Sequence, residues 1–470
     1  MDKFLQYLKG KSIHIVGVTG AEGSSILRFL IAYAKGKITA HDFLGEDSVE
    51  KSFKLWHKGV TTLERQKLFL QFKNDLAKTV FYSDKDYLKN ITSADIIFVP
   101  QSWRLYKAQN RLLWQVKKAN VPFYSLTRLY LDFSPAYVVG VTGTVGKGSV
   151  ANILVQLLKK GGKRVYFAGN ETWRVQVTDK LKEMTSGDIL VLEISHRQLQ
   201  DGYARAPQIV IFTNLYPNHL DELNWEEYKK LKLSLVLAQN PAATSVLNYD
   251  SPELRKIVPG LKSKVIFYSE EQKKMNTKNI QGIYEEIMNR KSIHYPINIL
   301  AASTAADILG INREQIMQSL SALSALPARL EHVATISGVK FYDDIKSTTP
   351  WATLAGIKKL NGDTIVICGG KTKGMNYQDF SSQAKKLVKY LIILKSQMSQ
   401  FISKYLPDNI YTVANNLDEA VKIAYQKTKA GDNILISPGA GFFYTDFIKG
   451  KLSLRKLIIS LLPKGQAVMD

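Results

Sequence analysis

Residues 137–160 read "YVVGVTGTVGKGSVANILVQLLKK" and give the clearest indication of the fold class in this sequence. The run from Tyr137 to Val141 predicts a strand, and the apolar residues after the glycines recur at the helical period, which predicts a helix that ends at Gly161. A glycine-rich loop between a strand and a helix N-terminus is typical of a phosphate-binding loop. The motif G-x-x-x-x-G-K-[ST] is not met, because Val141 replaces its first glycine and Gly148 its hydroxyl residue.

Outside this stretch, strand-like and helix-like runs alternate, which predicts an α/β protein with mainly parallel sheets. Residues 12–42 form another strand, loop, helix and strand, with glycines spaced G-x-x-G-x-x-G, unlike a dinucleotide-binding loop. Further strands run into glycine- or acid-bearing loops at residues 339–344, 363–370 and 432–441. We therefore predict three domains: a Rossmann-like domain at 1–134, a central phosphate-loop domain with a parallel sheet at 135–326, and a second Rossmann-like domain at 327–470.

The composition narrows the class of protein. The chain has 470 residues, of which 45% are hydrophobic and 22% charged, as in a typical globular protein. No early apolar run follows a basic segment, and no stretch reaches the roughly 18 unbroken apolar residues of a membrane span, so we expect neither a signal peptide nor a membrane helix. The single cysteine, Cys368, excludes an intrachain disulfide and a cysteine metal cluster. Together these features favour a cytoplasmic protein.

The formal net charge of +23 has two interpretations. It can attract polyanions such as nucleotides or nucleic acid, or it can reflect a lysine-rich surface without a specific partner. Because the lysines are spread along the whole chain, the second interpretation is favoured. No helix-turn-helix, zinc-finger or RNA-binding signature accompanies the charge, so we expect no nucleic-acid partner.

Candidate metal ligands follow the strands of the central block. Glu193 ends the apolar strand "DILVLE" (188–193), where a carboxylate can hold Mg²⁺ or can simply be a capping acid. His219 follows the strand of "IFTNLYPNHLDEL" (211–223), where a structural histidine and a ligand are equally expected. In "WEEYKKLKLSL" (225–235) the residues alone predict solvated side chains at the lysines 229, 230 and 232.

The order of the motifs resembles that of the Mur ligases, most closely their D-glutamate-adding members. The resemblance spans nearly the whole chain and is carried by "VTGTVGKGS" (141–149), "GN" (169–170), "VLEIS" (191–195), "NHLDEL" (218–223), the helix with Lys232, "HYPINILAA" (294–302), "LPARLE" (326–331), "DDIKST" (343–348), "ICGGKTKG" (367–374) and "ISPGAG" (436–441). The family's loop is the shorter T-G-x-x-G-K form, here Thr142 to Lys147. A hydroxyl one residue later than usual, at Ser149, is similar to the arrangement in folylpolyglutamate synthetases.

The resemblance implies an ATP-dependent amide ligase of cell-wall peptide synthesis. Such an enzyme phosphorylates a carboxylate of a UDP-linked precursor, and the amine of a free amino acid, here expected to be glutamate, displaces the phosphate. Catalysis would rest mainly on positioning and charge neutralisation. The resemblance also implies two Mg²⁺ sites, a carbamylated Lys232 and a monomeric enzyme.

Residue by residue, the resemblance assigns the following roles. The catalytic set is Lys147, Asn170, Glu193, His219, Lys232 and Lys346. ATP would be bound by Gly143, Thr144, Gly146, Lys147, Ser149, Asn298, Arg329 and Asp344, and Mg²⁺ by Ser149, Glu193, His219 and Lys232. The UDP-linked precursor would meet Val18, Thr19 and Asp42, and the amino acid would meet Lys346, Thr348 and Lys373.

Two departures from the family pattern bear on the substrates. Residues 98–106 read "FVPQSWRLY" where the family has a Ser-Pro-Gly turn, which bears on contacts to the precursor. Phe442 stands where D-glutamate ligases have a serine; it cannot donate a hydrogen bond, and a buried carboxylate that lacks one donor is destabilised by about 1–3 kcal/mol. Lys373 and Thr348 can still hold one anionic group, so glutamate stays slightly favoured.

Two alternatives stay open at this point. The first is a related ligase with a different acceptor or amino acid, such as an archaeal pseudomurein peptide ligase. The second is a non-catalytic, basic nucleotide- or nucleic-acid-binding protein on the same scaffold. The presence of Lys147, Glu193, His219 and Lys232 together argues against the second, because binding alone does not need all four groups.

Overall fold

The computed structural model describes residues 1–57, 59–170, 175–289, 295–324, 326–441, 457–458 and 460–461. The chain divides into two compact units. The larger unit comprises Met1–Asn214, Lys230–Ile287 and Ile297–Leu323, and the smaller unit comprises Leu215–Lys229, Met288–Pro296 and Ser324–Asp470. The larger unit carries two parallel sheets and the smaller unit carries one mixed sheet, so the predicted α/β fold is confirmed.

The first sheet of the larger unit consists of β1 (Ser12–Val16), β2 (Lys37–Asp42), β3 (Val80–Ser83), β4 (Ile96–Phe98) and β5 (Phe123–Tyr124). All strands are parallel and lie in the order β3-β2-β1-β4-β5. Its helices are α1 (Asp2–Leu8), α2 (Ala21–Tyr33), α3 (Val49–Trp56), α4 (Thr62–Leu76), α5 (Arg111–Lys118) and α6 (Leu126–Phe133). The predicted strand, glycine loop, helix and strand at residues 12–42 are confirmed.

The second sheet of the larger unit is also entirely parallel and consists of β6 (Tyr137–Thr142), β7 (Val165–Gly169), β8 (Ile189–Glu193), β9 (Ile209–Phe212), β10 (Thr244–Asn248) and β11 (Lys264–Tyr268). The order is β11-β10-β9-β6-β8-β7. The register places Val141 beside both Glu193 and Ile211, so the carboxyl ends of β6, β8 and β9 meet at one edge. Ligands of such sheets bind at that edge.

Helices follow these strands in the chain: α7 (Lys147–Lys160), α8 (His196–Leu199), α9 (Trp225–Leu237), α10 (Pro252–Lys256), α11 (Lys278–Gln281), α12 (Tyr284–Met288), α13 (Pro296–Ile308) and α14 (Arg313–Leu320). The apolar positions that predict α7 are all buried: Val150, Ile153, Leu154, Leu157 and Leu158. This buried face anchors the helix, so its N-terminus is held at the end of β6.

The sheet of the smaller unit consists of β12 (Glu331–Ile336), β13 (Val339–Asp343), β14 (Thr364–Gly369), β15 (Tyr390–Leu394), β16 (Tyr411–Ala414) and β17 (Asn433–Gly439). The order is β12-β13-β17-β14-β15-β16, and only the β12–β13 pair is antiparallel among the described strands. The helices are α15 (Pro350–Lys359), α16 (Gln378–Leu387), α17 (Gln397–Ile402) and α18 (Leu417–Gln426). In the part of the chain that the structure describes, no helix is long and apolar enough to cross a membrane.

Candidate active site

The loop between β6 and α7 needs its glycines. Gly143 has a φ of +140° and Gly146 a φ of +87°, which are conformations that side-chain-bearing residues rarely adopt. A Cβ at Gly143 would lie 2.0 Å from Thr213 Oγ1, and one at Gly146 would lie 2.8 Å from Asn298 Oδ1. The loop therefore folds against the end of β9 and against α13, which brings Asn298 next to the predicted phosphate-binding residues.

Thr213 and Asn214, which directly follow β9, fix the backbone of this loop. The Thr144 N–H donates to the Asn214 carbonyl at 2.9 Å, and the Val145 N–H donates to Asn214 Oδ1 at 2.8 Å. The Val145 carbonyl accepts hydrogen bonds from Thr213 Oγ1 at 2.5 Å and from Asn214 Nδ2 at 3.1 Å. Protein groups thus hold the loop in one conformation, which would spare an anionic ligand the cost of rearranging it.

The N-terminus of α7 is arranged to bind an anion. Gly146 precedes the helix and no side chain caps it, so the first N–H groups of the helix are directed at the loop. Lys147 is the first helical residue, and its Nζ donates to the Thr144 carbonyl at 3.1 Å. Ser149 lies in the same first turn and carries the hydroxyl predicted as a metal ligand.

Asn170 and Glu193 form a hydrogen-bonded pair at the ends of adjacent strands. Asn170 follows β7, and its Nδ2 donates to Glu193 Oε1 at 3.0 Å while its N–H donates to the Glu193 carbonyl at 2.7 Å. Glu193 is only 4% exposed. Gly169 has a φ of +103°, and a Cβ there would lie 2.2 Å from the Glu193 carbonyl oxygen, so the turn requires glycine.

Lys232 is buried on α9, so the prediction of a solvated side chain is wrong for this lysine. The residue is 1% exposed, and its Nζ donates to the Gly143 carbonyl at 2.8 Å and to Thr142 Oγ1 at 3.2 Å. Burial and the neighbouring charge of Lys147 hold the pKa of Lys232 well below 10.5, although the Glu193 carboxylate opposes this shift. By contrast, Lys230 on the same helix is exposed, as predicted.

In the smaller unit, His219 lies in a strained turn. Its φ is +57°, its N–H donates to Asn218 Oδ1 at 2.9 Å, and its Nδ1 lies 3.0 Å from Glu222 Oε1. The carboxylate orients the imidazole ring and favours a proton on Nδ1, which leaves Nε2 as the nitrogen suited to a ligand. Histidine adopts this left-handed conformation more readily than most non-glycine residues.

Arg329 and Asp344 lie on neighbouring segments of the smaller unit. Ala328 and Leu330, on either side of Arg329, have φ of +58° and +52°. The Leu330 N–H donates to Asp344 Oδ1 at 3.0 Å, and Ser437 Oγ donates to Asp344 Oδ2 at 2.9 Å. Burial raises the pKa of Asp344 to about 7, against the effect of these donors and of Arg329.

Tyr295, which the motif analysis left without a role, also belongs to this group. Its hydroxyl is buried without a hydrogen-bond partner among the described residues. Burial and the charge of Asp344 raise the pKa of Tyr295 well above 10, while Arg329 lowers it. A buried hydroxyl of this kind is costly unless a ligand or water satisfies it.

Two of the three residues predicted to hold the amino acid, Thr348 and Lys373, contact each other. Lys373 Nζ donates to Thr348 Oγ1 at 3.3 Å, and Lys373 itself has a φ of +53°. The Lys346 N–H donates to the Ala328 carbonyl at 3.2 Å, which ties this loop to the segment that carries Arg329. Phe442 and the residues that follow it up to 456 lie outside the described residues.

The residues predicted for the UDP-linked precursor meet at the ends of β1 and β2. Thr19 donates to Asp42 Oδ2 twice, from its N–H at 3.1 Å and from its hydroxyl at 2.6 Å. Val18 is fully buried, and its N–H donates to the His41 carbonyl at 3.2 Å. Asp42 therefore stabilises the conformation of the loop, and its carboxylate already accepts the hydrogen bond of the Thr19 N–H.

Family models match two consecutive parts of the chain. The Mur ligase middle domain matches residues 141–307, and the Mur ligase, glutamate ligase domain matches residues 328–440, which together exceed half of the chain. A UDP-N-acetylmuramoylalanine–D-glutamate ligase from Bdellovibrio bacteriovorus is 31% identical over 341 residues, covering 66% of this chain and 73% of the relative. The chain belongs to the Mur ligase family.

Other similar proteins align with a larger share of this Mur ligase. A UDP-N-acetylmuramoylalanine–D-glutamate ligase from Thermoanaerobacter pseudethanolicus is 29% identical over 454 residues, or 92% of this chain and 94% of the relative. A pseudomurein peptide ligase type C from Methanothermus fervidus has a TM-score of 0.55 at 18% identity, covering 96% of this chain and 100% of that one. The UDP-N-acetylmuramate-alanine ligase MurC from Thermotoga maritima has a TM-score of 0.55 at 14% identity, covering 94% and 100%. These structures share the fold of this Mur ligase, which is an ATP-dependent amide ligase.

The motif analysis of this Mur ligase missed the residues that hold the loop in place. Thr213 and Asn214 directly follow the strand β9 and make four hydrogen bonds to Thr144 and Val145. Their signal in the sequence is a polar pair directly after the apolar run "IVIF" (209–212), at the edge where β6 also ends. Polar residues at the end of a strand beside a glycine-rich loop can therefore support the loop, as well as bind a metal.

Proposed function

We propose that this Mur ligase joins D-glutamate to the alanine carboxylate of a UDP-linked muramoyl-alanine precursor. The observation that carries the proposal is the rigid loop of residues 143–147, with buried Lys232 within electrostatic reach of both Lys147 and Glu193. Relatives named for this reaction align with as much as 94% of the chain, which supports the choice of substrates.

The expected reaction has two steps. An oxygen of the acceptor carboxylate attacks the γ-phosphorus of ATP, the bond to the bridging oxygen breaks, and an acyl phosphate and ADP form. The amine of the amino acid then attacks the acyl carbon, loses a proton, and phosphate leaves with the bonding electrons. Lys147 would neutralise the phosphoryl group in transfer, and the first N–H groups of α7 would hold the β-phosphate.

The donor atoms near the loop fit Mg²⁺. Glu193 offers a carboxylate and Ser149 a hydroxyl, and oxygen ligands are those that Mg²⁺ prefers. When bound, Mg²⁺ would reduce the negative charge on the phosphate oxygens. We assign one Mg²⁺ to Ser149 and Glu193 and a second one to His219 and the carbamylated Lys232.

The surroundings of Lys232 support its carbamylation. A carbamate forms when a neutral amine attacks CO₂ and loses a proton. The lowered pKa of Lys232 increases the neutral fraction of this amine near neutral pH. The product carries a negative charge beside Glu193, and such a pair of anions in a buried site needs a bound cation to be stable.

The other ligands are assigned by the family pattern, and the contacts around the residues support them. Asn298 would meet the adenine, Arg329 the phosphates and Asp344 the ribose. Lys346, Thr348 and Lys373 would hold the amino acid, and Val18, Thr19 and Asp42 the UDP-linked precursor. We further propose that the domains extend over 1–134, 135–326 and 327–470 and that the enzyme acts as a monomer.

A second candidate is the same reaction on a different acceptor. The observation that favours it is the loop after β1, where the Asp42 carboxylate accepts from both the N–H and the hydroxyl of Thr19. An acceptor diphosphate would have to bind elsewhere on this loop or displace a buried carboxylate. Acceptors with another head group therefore belong in the test.

Release of phosphate, measured with each acceptor and amino acid in turn, tests the proposal. We expect turnover with UDP-N-acetylmuramoyl-L-alanine and D-glutamate, and a product whose mass has increased by one glutamate residue. L-glutamate, D-aspartate and L-alanine serve as competing amino acids, and acceptors with other head groups test the second candidate. Product with another amino acid and none with D-glutamate would leave the ligase class in place and exclude the proposed substrate.

A further inference from the structure

We propose that Gln101 is a positioning residue that sets the orientation of the Asn170 side-chain amide against Glu193. The inference rests on the proposed function only in giving Glu193 and Asn170 a role at the reacting phosphates. Gln101 lies in the "FVPQSWRLY" loop after β4, which departs from the family's Ser-Pro-Gly turn.

Gln101 makes two side-chain hydrogen bonds across to the second sheet. Its Oε1 accepts from Ser195 Oγ at 2.8 Å, and its Nε2 donates to Asn170 Oδ1 at 3.3 Å. Ser195 is two residues after Glu193, and Asn170 is the residue whose Nδ2 donates to Glu193 Oε1 at 3.0 Å. The side chain thus spans the ends of β7 and β8.

The hydrogen bonds that link Ser195, Gln101, Asn170 and Glu193 all run in one direction, because each residue donates to the next. The Gln198 N–H lies 3.4 Å from Ser195 Oγ, which leaves the Ser195 hydroxyl hydrogen free to point at Gln101 Oε1. With its oxygen engaged, Gln101 can present only its NH₂ group to Asn170, and Asn170 in turn presents its own NH₂ group to Glu193. Hydrogen bonds aligned in this way polarise and strengthen one another.

A reversed Asn170 amide would be harmful at this position. Its Oδ1 would face Glu193 Oε1, and two acceptors would then lie about 3 Å apart without a hydrogen between them. The carboxylate would lose a donor that stabilises its charge and fixes its direction. Gln101 prevents the reversal because its Nε2 holds Asn170 Oδ1 on the opposite side.

The backbone of Gln101 is also held, which fixes the position from which its side chain reaches Asn170 and Ser195. The Gln101 N–H donates to Glu22 Oε2 at 2.7 Å, and Glu22 Oε1 in turn lies 3.4 Å from Gln198 Nε2. Further along the loop, Arg104 binds the Asp201 carboxylate with contacts of 2.7 and 2.8 Å. These contacts join the loop to the segment after β8, through Glu22 at Gln101 and directly at Arg104.

The test is a double-mutant cycle with Gln101→Met, which keeps the length of the side chain and removes both hydrogen bonds. We expect kcat to fall about tenfold, the size of one charge-directed hydrogen bond, while KM for acceptor and amino acid changes less than about threefold. In an Asn170→Ala background, Gln101→Met should have no further effect, because it acts through Asn170. Gln115→Met, an exposed position on α5, is the matched control.

A second measurement does not depend on turnover. Calorimetry of ADP binding at increasing Mg²⁺ concentration should show that Gln101→Met needs about five- to tenfold more Mg²⁺ than the wild type. This is at or below the lower end of the roughly 10–100-fold effect of losing a direct partner of a metal ligand, because Gln101 acts through Asn170. Gln101→Ser, which is too short to reach Asn170, replaces the Met variant if that variant fails to fold.

Three results would overturn the inference: an unchanged kcat and Mg²⁺ midpoint, a full and additive effect of Gln101→Met in the Asn170→Ala background, or a change confined to the KM for the acceptor. If the wild type makes no product with any substrate, the proposed function fails. The Mg²⁺ titration then still decides the role of Gln101, and a midpoint equal to that of the wild type would refute it.

Discussion

Arg104 provides a quantitative test of how the loop after β4 is held to the second sheet. Its Nη1 and Nη2 donate to the two oxygens of Asp201 at 2.8 and 2.7 Å, and Nη2 also donates to the Gln200 carbonyl at 3.3 Å. The Asp201 side chain is only 1% exposed. In Arg104→Ala, the carboxylate would keep only the Trp103 indole N–H at 3.2 Å and Lys117 at 3.6 Å among its described partners.

The expected loss of stability follows from the burial of the Asp201 side chain. Removing one partner of a buried ion pair costs about 3–5 kcal/mol, because the other charge stays away from water without compensation. Since Lys117 remains near Asp201, we expect the lower end, about 3 kcal/mol in the free energy of unfolding of the larger unit. A change of this size corresponds to roughly a hundredfold in the unfolding equilibrium.

Urea unfolding, followed by tryptophan fluorescence, measures the loss of stability, because Trp103 and Trp114 pack next to this ion pair with 4.7 Å between their ring centroids. The control is Arg111→Ala, an exposed arginine on α5 that should change stability by less than about 0.5 kcal/mol. The double variant Arg104→Ala/Asp201→Ala removes both charges and should be less unstable than the sum of the single changes. A loss under about 1 kcal/mol for Arg104→Ala, as for an exposed pair, would refute the reasoning.

Three further predictions concern the site itself. Lys147→Ala should lower kcat at least about a hundredfold without unfolding the chain, because the charge on the transferring phosphoryl group is then not neutralised. The control Lys160→Ala, at the exposed end of the same helix, should keep a kcat near that of the wild type. Near-normal phosphate release by Lys147→Ala would exclude the phosphate-loop assignment. If Lys232 is carbamylated, activity of CO₂-stripped enzyme should rise when bicarbonate is added, and a crystal structure near neutral pH should show a planar group beyond Nζ; a bare ammonium there would count against it. The pKa of Asp344 is raised from 3.8 to about 7, so between these pH values the folded state binds a proton that the unfolded state does not. The contribution of Asp344 to stability should therefore fall by up to about 4 kcal/mol as the pH rises from about 4 to about 7, and stay level above. Asp344→Asn should remove this contribution, measured as the difference from the wild type in urea unfolding at pH 5 and at pH 8; the same difference at both pH values would exclude a role for Asp344 in the pH dependence.

Much of the fold could be predicted because it depends on neighbouring residues. The strand β6, the glycine loop and α7 follow from the alternation of apolar runs and glycines over residues 137–160, and the structure has α7 end at Lys160, one residue before Gly161. Parallel order of the strands follows from helical crossovers, since such crossovers join strands that run in the same direction. The residues that we propose to bind phosphate could also be selected from the sequence, because Lys147 and its glycines are contiguous.

Lys232 shows where prediction from local pattern fails. Along α9 it follows Lys229 and Lys230, and nothing in that run separates a buried lysine from exposed ones. Only packing decides: α9 places Tyr228 and Lys232 on its buried face, and the Gly143 carbonyl accepts a hydrogen bond from the amine. The family pattern pointed to Lys232, whereas its physical environment comes from a loop about 90 residues earlier in the chain.

The supports of the site were determined only by the tertiary structure. Asn214 fixes a loop that precedes it by 69 residues, and Gln101 reaches Asn170 and Ser195 over separations of 69 and 94 residues. A side-chain amide carries no sequence signal for its partner, because its hydrogen bonds depend on which strand ends the sheet order brings together. The sequence alone therefore predicts the helices and strands and the charged groups of the candidate site, whereas the pairing of β6 with β8 and β9 brings their supporting partners together.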